Sequence, residues 1–298
     1  MLLIEDFKPI KIEDKPIFDK YYKKYPPVHS DYVFTTLVSW MDYAKFCYMI
    51  NNNNLIVASK INNKIQIKSP IGDKNKNIFD EVLKLAKQQE SEYPFGVIDK
   101  NTKNWLENNY PNLELIPTRD YFDYVYNSTD LAELAGSNYS KIRNRLNKFK
   151  KNNEYSVESI TEDNMKDIRE FLKRWCLWKD CDKDPLLENE KKAILYSMEN
   201  FFDLKLSGLS MIVNGDIEAI SVFEKMSNDT AIVHYEKGSP DYDGIYKAIN
   251  QETAKILQKD FKYINRESDM GVSGLRKAKL SYKPVFMIEV YTAIKNSI

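Results

Sequence analysis

The sequence predicts an α+β (mixed α/β) protein built as two similar halves, each with a mostly antiparallel central sheet flanked by helices. Three observations point there. Short apolar runs of strand length are joined by Asn-Asn and Asn-Gly turns. Longer segments between them carry apolar residues at helical spacing. The order of elements in residues 128–298 is also traceable, less regularly, in residues 1–127. We therefore expect an N-terminal degenerate domain over 1–127 and a C-terminal domain over 128–298 that carries the candidate site.

In the first half, Cys47 to Ile50 and Leu55 to Ala58 read as a hairpin around Asn51 to Asn54. Lys64 to Lys68 is the next strand, after the turn Asn62-Asn63. Ile78, Val82, Leu83, Leu85 and Ala86 mark one face of a helix over Ile78 to Gln89. Phe95 to Ile98 reads as a short buried strand, and Asn101 to Asn109 as a helix with Thr102 as its N-cap. Leu113 to Ile116 and Tyr121 to Tyr126 are expected to close this half as strands.

Ser128-Thr129-Asp130 caps a short helix that Gly136 ends, and Lys141 to Lys151 forms a basic helix. A strand, Ser156 to Ile160, precedes a helix with Met165, Ile168, Phe171, Leu172, Trp175 and Trp178 on its apolar side. Glu188 to Phe202 is another helix, buried through Ile194, Leu195, Met198, Phe201 and Phe202. Leu206 to Val213, Asp216 to Lys225 and Thr230 to Glu236 form a three-strand meander, with Asn214-Gly215 as its strongest turn. A helix over Ile245 to Lys259 and a strand over Phe261 to Ile264 follow. The stretch from Asn265 to Pro284 reads as a loop turned by Gly271 and Gly274, and Val285 to Tyr291 as the last strand. This is the element order of an acyltransferase of the Gcn5-related N-acetyltransferase (GNAT) class.

Composition narrows the function classes. Of 298 residues, 43% are hydrophobic and 30% charged, which permits a sizeable core. Lys+Arg and Asp+Glu number 44 each, so an anionic partner must be met by a local patch rather than a global field. Cys47, Cys176 and Cys181 lack metal-type spacing and read as reduced thiols, in keeping with a cytoplasmic location. With only two histidines, His29 and His234, a zinc centre is not expected. No apolar run approaches the ~20 residues of a membrane span, and the acids after Met1-Leu-Leu-Ile interrupt any signal-peptide pattern.

Four constellations carry candidate chemistry. Lys141, Arg143, Arg145, Lys148 and Lys150, with Lys151, place six basic residues and no acid in eleven positions. Such a helix grips phosphates, although a solvated helix end has the same composition. His234 and Glu236 alternate onto one face of a strand, as an acid/base pair or as inert sheet residues. Tyr246 and Asn250 share a helix face whose N-terminus favours an anion. The preceding loop lacks the Arg/Gln-x-x-Gly-x-Gly/Ala turn of coenzyme-A-dependent GNAT enzymes, which argues against that donor. The loop after the strand Phe261 to Ile264 concentrates Asn265, Arg266, Glu267, Asp269, Arg276, Lys277 and Lys279. A loop on a rigid scaffold is a common place for a site.

His234-Tyr-Glu-Lys237, Tyr242-x-Gly-x-Tyr246, Ile249-Asn-Gln251, Asn265-Arg-Glu-x-Asp-x-Gly271 and Gly274-Leu-Arg-Lys-Ala-Lys-x-Ser-Tyr282-x-Pro284 together resemble the phosphatidylglycerol lysyltransferase C-terminal-domain family. The resemblance implies a tandem GNAT-like fold similar to Fem-type transferases, which move an aminoacyl group from charged tRNA to a hydroxyl or amine. It implies no cofactor, with aminoacyl-tRNA as the donor substrate and acetyl-coenzyme A as the alternative. In that frame His234, Glu236, Glu267, Asp269 and Arg276 are the candidate catalytic residues. The basic helix, Tyr246, Asn250, Asn265, Arg266, Lys277, Lys279 and Tyr282 are the candidate substrate-binding residues. The family's synthases carry a membrane-embedded portion that this sequence lacks, so both an anionic lipid headgroup and a soluble molecule stay open as acceptor. An acyl-coenzyme-A-dependent N-acyltransferase and a non-catalytic module for anionic ligands are the competing classes.

Overall fold

The computed structural model describes residues 2–179 and 185–298 and arranges the strand-length runs into two seven-stranded sheets. Cys181 lies outside the described residues. The chain divides into two compact units, Met1–Asp123 with Ile288–Ile298, and Tyr124–Met287.

The first unit contains β1 (Lys8–Pro9), α1 (Lys15–Lys24), α2 (Phe34–Ser39), α3 (Met41–Ala44), β2 (Cys47–Asn51), β3 (Asn54–Ile61), β4 (Lys64–Lys68), α4 (Lys76–Lys87), β5 (Phe95–Asp99), α5 (Lys100–Asn109) and β6 (Leu115–Pro117). The second begins with β7 (Asp123–Asn127), α6 (Ser128–Glu133), α7 (Ser140–Asn152), β8 (Tyr155–Ser159), α8 (Met165–Trp178) and α9 (Pro185–Glu199). It continues with β9 (Ser207–Val213), β10 (Asp216–Lys225), β11 (Thr230–Gly238), α10 (Ile245–Leu257), β12 (Tyr263–Asn265), α11 (Ser273–Ser281) and β13 (Phe286–Ile288). The last strand, β14 (Val290–Ala293), belongs to the first sheet.

The sheet orders are β1-β2-β3-β4-β5-β14-β6 and β13-β7-β12-β11-β10-β9-β8. Each contains a four-strand antiparallel meander that meets one parallel neighbour, β5 beside β4 and β12 beside β11. The parallel junctions follow from helical crossovers, α4 in one unit and α10 in the other. This is the mixed α/β, two-halved architecture expected from the element order.

The hairpin turns obey local chemistry. Asn52-Asn53, Asn62-Asn63 and Asn214-Gly215 all have positive φ at both positions, which matches the right-handed twist of the flanking strands. Helix α4 buries Ile78, Phe79, Val82, Leu83, Leu85 and Ala86, and Asn75 caps it by accepting from Ile78 N–H at 3.1 Å. Ile78, Phe79 and Val82 join Ile56, Ile67 and Phe95 in the first unit's core, and each such side chain contributes about 1.5–3 kcal/mol by burial. In the second unit Ile142, Leu146 and Phe149 of α7 and Ala248, Ile249 and Leu257 of α10 pack with Met211, Val213 and Val233 of the sheet.

Several elements differ from expectation. The segment expected to close the first half, Tyr121 to Tyr126, supplies β7, an interior strand of the second sheet. Tyr124, Val125 and Tyr126 are all buried, and the N–H and C=O groups of a buried strand need ladder partners, which β12 and β13 supply on its two sides. The last apolar run splits between β13 in the second sheet and β14 in the first. Residues 273–281 form helix α11 where a loop was expected, with Gly274 inside its first turn and no positive φ there. Asp99, not Thr102, caps α5 by accepting from the N–H groups of Asn101 and Thr102. Asn127 likewise caps α6 in place of Ser128. Phe202, Trp178 and Ile256 are exposed. Helices α1 to α3 had no sequence expectation. Among the described residues, no helix is long and apolar enough to cross a membrane.

The Asp99 cap gives a stability test. Asp99→Ala removes the acceptor for two helix N–H groups at 2.8 and 3.1 Å. Equilibrium urea unfolding is expected to show a loss of about 1–2 kcal/mol with an unchanged denaturant slope. A midpoint equal to the parent's would remove the cap from the account of α5.

Candidate functional site

The parallel pairing of β11 with β12 runs from Thr230↔Tyr263 to Ile232↔Asn265 and then ends. Strand β11 continues to Gly238, while the chain after Asn265 turns toward β7, with Arg266 N–H donating to Tyr124 O at 3.0 Å and Tyr124 N–H to Glu267 O at 3.2 Å. The gap between the diverging segments is a cavity of about 500 Å³. Its walls come from β11, the 239–244 loop, α10, the 266–270 loop, α11, and single residues of α7 and α9.

The 266–271 loop is held in an unfavourable backbone shape. Glu267, Met270 and Gly271 have φ of 56°, 49° and 78°. For the two non-glycine residues this costs about 1–2 kcal/mol each, so the surroundings must impose it. Asn265 Oδ1 accepts from Glu267 N–H at 2.7 Å. The Lys279 ammonium donates to the carbonyls of Arg266, Glu267 and Ser268 at 2.5, 3.1 and 2.6 Å. Asp269 is fully buried and receives Arg276 Nε at 2.9 Å, Arg276 Nη2 at 2.7 Å, Tyr124 Oη at 2.5 Å and Gly271 N–H at 2.9 Å. Burial alone would raise the Asp269 pKa, but Arg276, Tyr124 and the Gly271 amide outweigh it and hold it at about 2.

His234 is the extra residue of a β-bulge: Val222 pairs Tyr235 and Phe223 pairs Val233, leaving it unpaired. Its side chain is 2% exposed, with Nδ1 2.8 Å from Glu267 Oε1 and Nε2 2.8 Å from Glu224 Oε1. Burial lowers the imidazole pKa, yet the two carboxylates more than offset this and raise it to about 9. His234 is therefore a buried cation at neutral pH, clamped between Glu224 and Glu267. The expected near-neutral pair with Glu236 does not form. Glu236 lines the same cavity but accepts from Asn250 Nδ2 at 3.0 Å and pairs with Arg266 Nη2.

Arg266 lies 5.7 Å from the Tyr126 ring and 5.0 Å from the Tyr282 ring. Tyr246 lines the cavity and accepts from Trp175 Nε1 at 3.2 Å, while Asn250 sits behind it as the support of Glu236. The cavity thus gathers Arg145, His234, Glu236, Tyr246, Arg266, Glu267, Lys279 and Tyr282 from the expected set. Asp269, Arg276, Lys277 and Asn265 lie outside its lining. Asp269 and Arg276 neutralise each other, Lys277 is exposed, and Asn265 is a buried loop support.

The basic helix divides in the same way. Arg143 donates to the carbonyls of Leu134 and Gly136 and so finishes the α6 terminus. Lys150 donates to Gln251 Oε1 at 2.7 Å, Lys148 pairs with Asp243 at 3.3 Å, and Lys141 is exposed. Only Arg145 of the helix reaches the cavity.

Lys247, Lys237, Tyr242, Glu190 and Glu224 were not among the expected site residues. Lys247 lines the cavity; burial and then the charge of Arg266 lower its amine to about 8, Glu236 pulls the other way, and Arg145 adds a smaller lowering. Its place in the first turn of a glycine-started helix, off the Ala248-Ile249 core face, is a readable signal. Glu224, a lone acid ending the apolar run from Ala219 to Phe223, is another. Glu190 comes from α9, and nothing in the sequence links it to Lys237, its partner at 2.8 Å.

A profile of the family described as phosphatidylglycerol lysyltransferase, C-terminal, matches residues 22–294. The chain belongs to this family. A conserved Bacteroides thetaiotaomicron protein of unknown function is 30% identical in its crystal structure, with a TM-score of 0.89 over 96% of this chain and 98% of that one. The L-PGS structure from Bacillus licheniformis superposes with a TM-score of 0.65 at 12% identity, covering 95% of this chain and 92% of that one. A tandem GNAT protein of the clavulanic acid biosynthesis pathway gives 0.50 at 6% identity over 97% and 98% of the two chains, a likeness of fold alone. An uncharacterized protein of Mycoplasmoides gallisepticum is 26% identical over 192 residues, 63% of this chain and 60% of that relative. The fold of this chain is accordingly tandem GNAT-like.

The Glu224–His234–Glu267 clamp predicts a pH dependence. The folded His234 pKa lies above its ordinary value of 6.5, so the clamp stabilises fully below about pH 6.5 and loses that contribution as pH rises through about 9. The stability difference between the parent and His234→Gln is expected to shrink by on the order of 3 kcal/mol between pH 6.5 and 10. Groups away from the clamp titrate alike in both proteins and cancel in this difference. A pH-independent difference would show that His234 is neutral in the folded state.

Proposed function

We propose that this chain is an acyltransferase that moves an aminoacyl group from aminoacyl-tRNA to a hydroxyl or amine acceptor. The observation that carries this reading is the cavity at the β11/β12 split in a chain of the lysyltransferase family: one strained loop lines it with both a carboxylate and a guanidinium. Glu267, fixed through Oε1 by protonated His234, suits the ammonium of an aminoacyl group. The acceptor oxygen or nitrogen attacks the ester carbonyl, and the tetrahedral oxyanion then collapses. The tRNA ribose oxygen leaves with the proton the acceptor gives up. No redox step or added group is required. Such a reaction depends mainly on positioning and on stabilising the developing negative charge, and the surplus of cations in the cavity supports the second. Exposed Lys141 and Lys148 on α7 are the groups we assign to the tRNA backbone. The loop between Gly238 and Gly244 supports this donor over acetyl-coenzyme A: it carries Pro240, and a Cβ at Gly238 would lie 2.8 Å from Ile245, so this glycine serves packing.

Equilibrium binding to aminoacyl-tRNA and, in parallel, to acetyl-coenzyme A across a salt series tests the donor. Tight tRNA binding that weakens with salt is expected. Lys141→Glu with Lys148→Glu should lower the logarithmic salt slope by about one to two. Transfer to a trapping amine such as hydroxylamine should fall at least ~10-fold in Glu267→Gln if Glu267 holds the ammonium. Saturable acetyl-coenzyme A binding without tRNA affinity would replace this reading with the coenzyme-A-dependent one.

A further inference from the structure

The acids around the cavity are nearly all matched. Glu236 pairs with Arg266, and Glu190 with Lys237 at 2.8 Å. Asp243 pairs with Lys148 at 3.3 Å, and Glu224 and Glu267 share His234. Among the described residues, two lining cations have neither a carboxylate nor a carbonyl partner, unlike Lys279, which three carbonyls hold. Among the described residues, neither Arg145 nor Lys247 makes an ion pair, and Lys247 Nζ instead packs 4.7 Å from the Tyr282 ring. Arg266, on the same ring, uses Nη2 for Glu236, but its Nη1 is buried with no hydrogen-bond partner. A buried donor left without an acceptor is destabilising, and more so when charged. Evolution of such a feature is understandable where a ligand completes it.

The packing shows why these cations share one end of the cavity. Gly244 starts α10 with a φ of 97°, and a Cβ there would fall 2.9 Å from Arg145 O and 3.0 Å from Phe149 Cβ. The missing side chain lets α7 approach α10 closely, which sets Arg145 near Lys247, three residues past the glycine. Arg266 and, more weakly, Arg145 depress the Lys247 amine, as expected of positive groups at one end of a cavity. Two unbalanced charges and a third, orphaned N–H call for a ligand with more than one negative oxygen and with oxygens pointing in several directions. A phosphate group meets this better than a planar carboxylate.

We infer that Arg145, Lys247 and the Nη1 edge of Arg266 form a subsite, built from side chains, for a phosphate group carried as a monoester or diester. The phosphate would come either from the terminal nucleotide of an RNA donor or from a glycerophosphate headgroup on the acceptor. The chemistry of recognition is the same for both. The subsite stands apart from the donor assignment above, because its occupancy requires neither tRNA nor transfer.

The test titrates the full chain with inorganic phosphate, 5′-AMP and glycerol 1-phosphate. The readout is the NMR signal of ¹³C-methylated Lys247, identified by its loss in Lys247→Met, together with calorimetry. Saturable binding of at least one probe, with the Lys247 titration moving to higher pH in the complex, is the expected result. Affinity should fall about tenfold or more in Lys247→Met and in Arg145→Gln, and stay unchanged in the exposed first-unit control Lys60→Met. Circular dichroism of each variant verifies folding, and Lys247→Arg should retain most of the affinity. A preference for 5′-AMP assigns the subsite to the donor end, and a preference for glycerol 1-phosphate assigns it to the acceptor. Absence of saturation by all three probes, or equal affinity in parent, Lys247→Met and Arg145→Gln, overturns the inference. If a probe binds as expected while aminoacyl-tRNA does not, the donor assignment fails and the subsite stands.

Discussion

The ammonium of Lys279, buried under the segment that follows β12 and bonded to three consecutive carbonyls, holds the site in shape. Once β12 stops pairing with β11, those carbonyls have no sheet partner, and a buried carbonyl without a donor is costly. Lys279 supplies the donors from one turn of α11. The Asp269–Arg276 pair pins the next stretch of the same loop to the same helix. With both anchors in place the backbone tolerates left-handed Glu267 and Met270. Arg266 and Glu267 then project into the space between the strands rather than collapsing into it.

Charge is handled locally. The chain carries equal numbers of acidic and basic residues, so it has no long-range field to attract a polyanion. Within the second unit the charges are sorted instead. His234 is kept cationic by two glutamates, Arg266 is held between tyrosines and Glu236, and Lys247 is left among like charges. A low-dielectric cavity magnifies each of these arrangements relative to the same groups in water. The burial of Tyr282, whose phenol pKa is pushed well up, keeps that ring neutral as a packing surface for both Arg266 and Lys247.

Most elements of the second half were legible because their signals are local. The Asn214-Gly215 turn, the period-two strands around it and the apolar stripe of α10 need only neighbouring residues to act. Features that depend on distant partners were not legible. The Asn265–Pro284 stretch has loop-like composition, yet it closes as a helix because Arg276 and Lys279, three apart, find acceptors on the preceding turn. Asp269, Arg276 and Glu267 are equally polar in the sequence. Two of them are consumed by mutual neutralisation and only the third faces the cavity. His234 and Glu236 do share the cavity, as their alternation suggested, but a bulge and two glutamates from elsewhere set what His234 does.

By itself, the sequence determined the class of fold, the turn positions, the helices with strong apolar stripes and the family, since each rests on spacing and motif that survive without knowledge of contacts. The tertiary structure decided which strand joins which sheet, sending β14 to the first and β7 to the second, because the N–H and C=O groups of a buried strand need ladder partners along both edges, and only the assembled sheets supply them. It also decided the site. Whether a charged side chain is a tool or a strut depends on what lies within about 3 Å of it. That distance is set by packing between elements far apart in the chain, as where Gly244 brings α7 against α10.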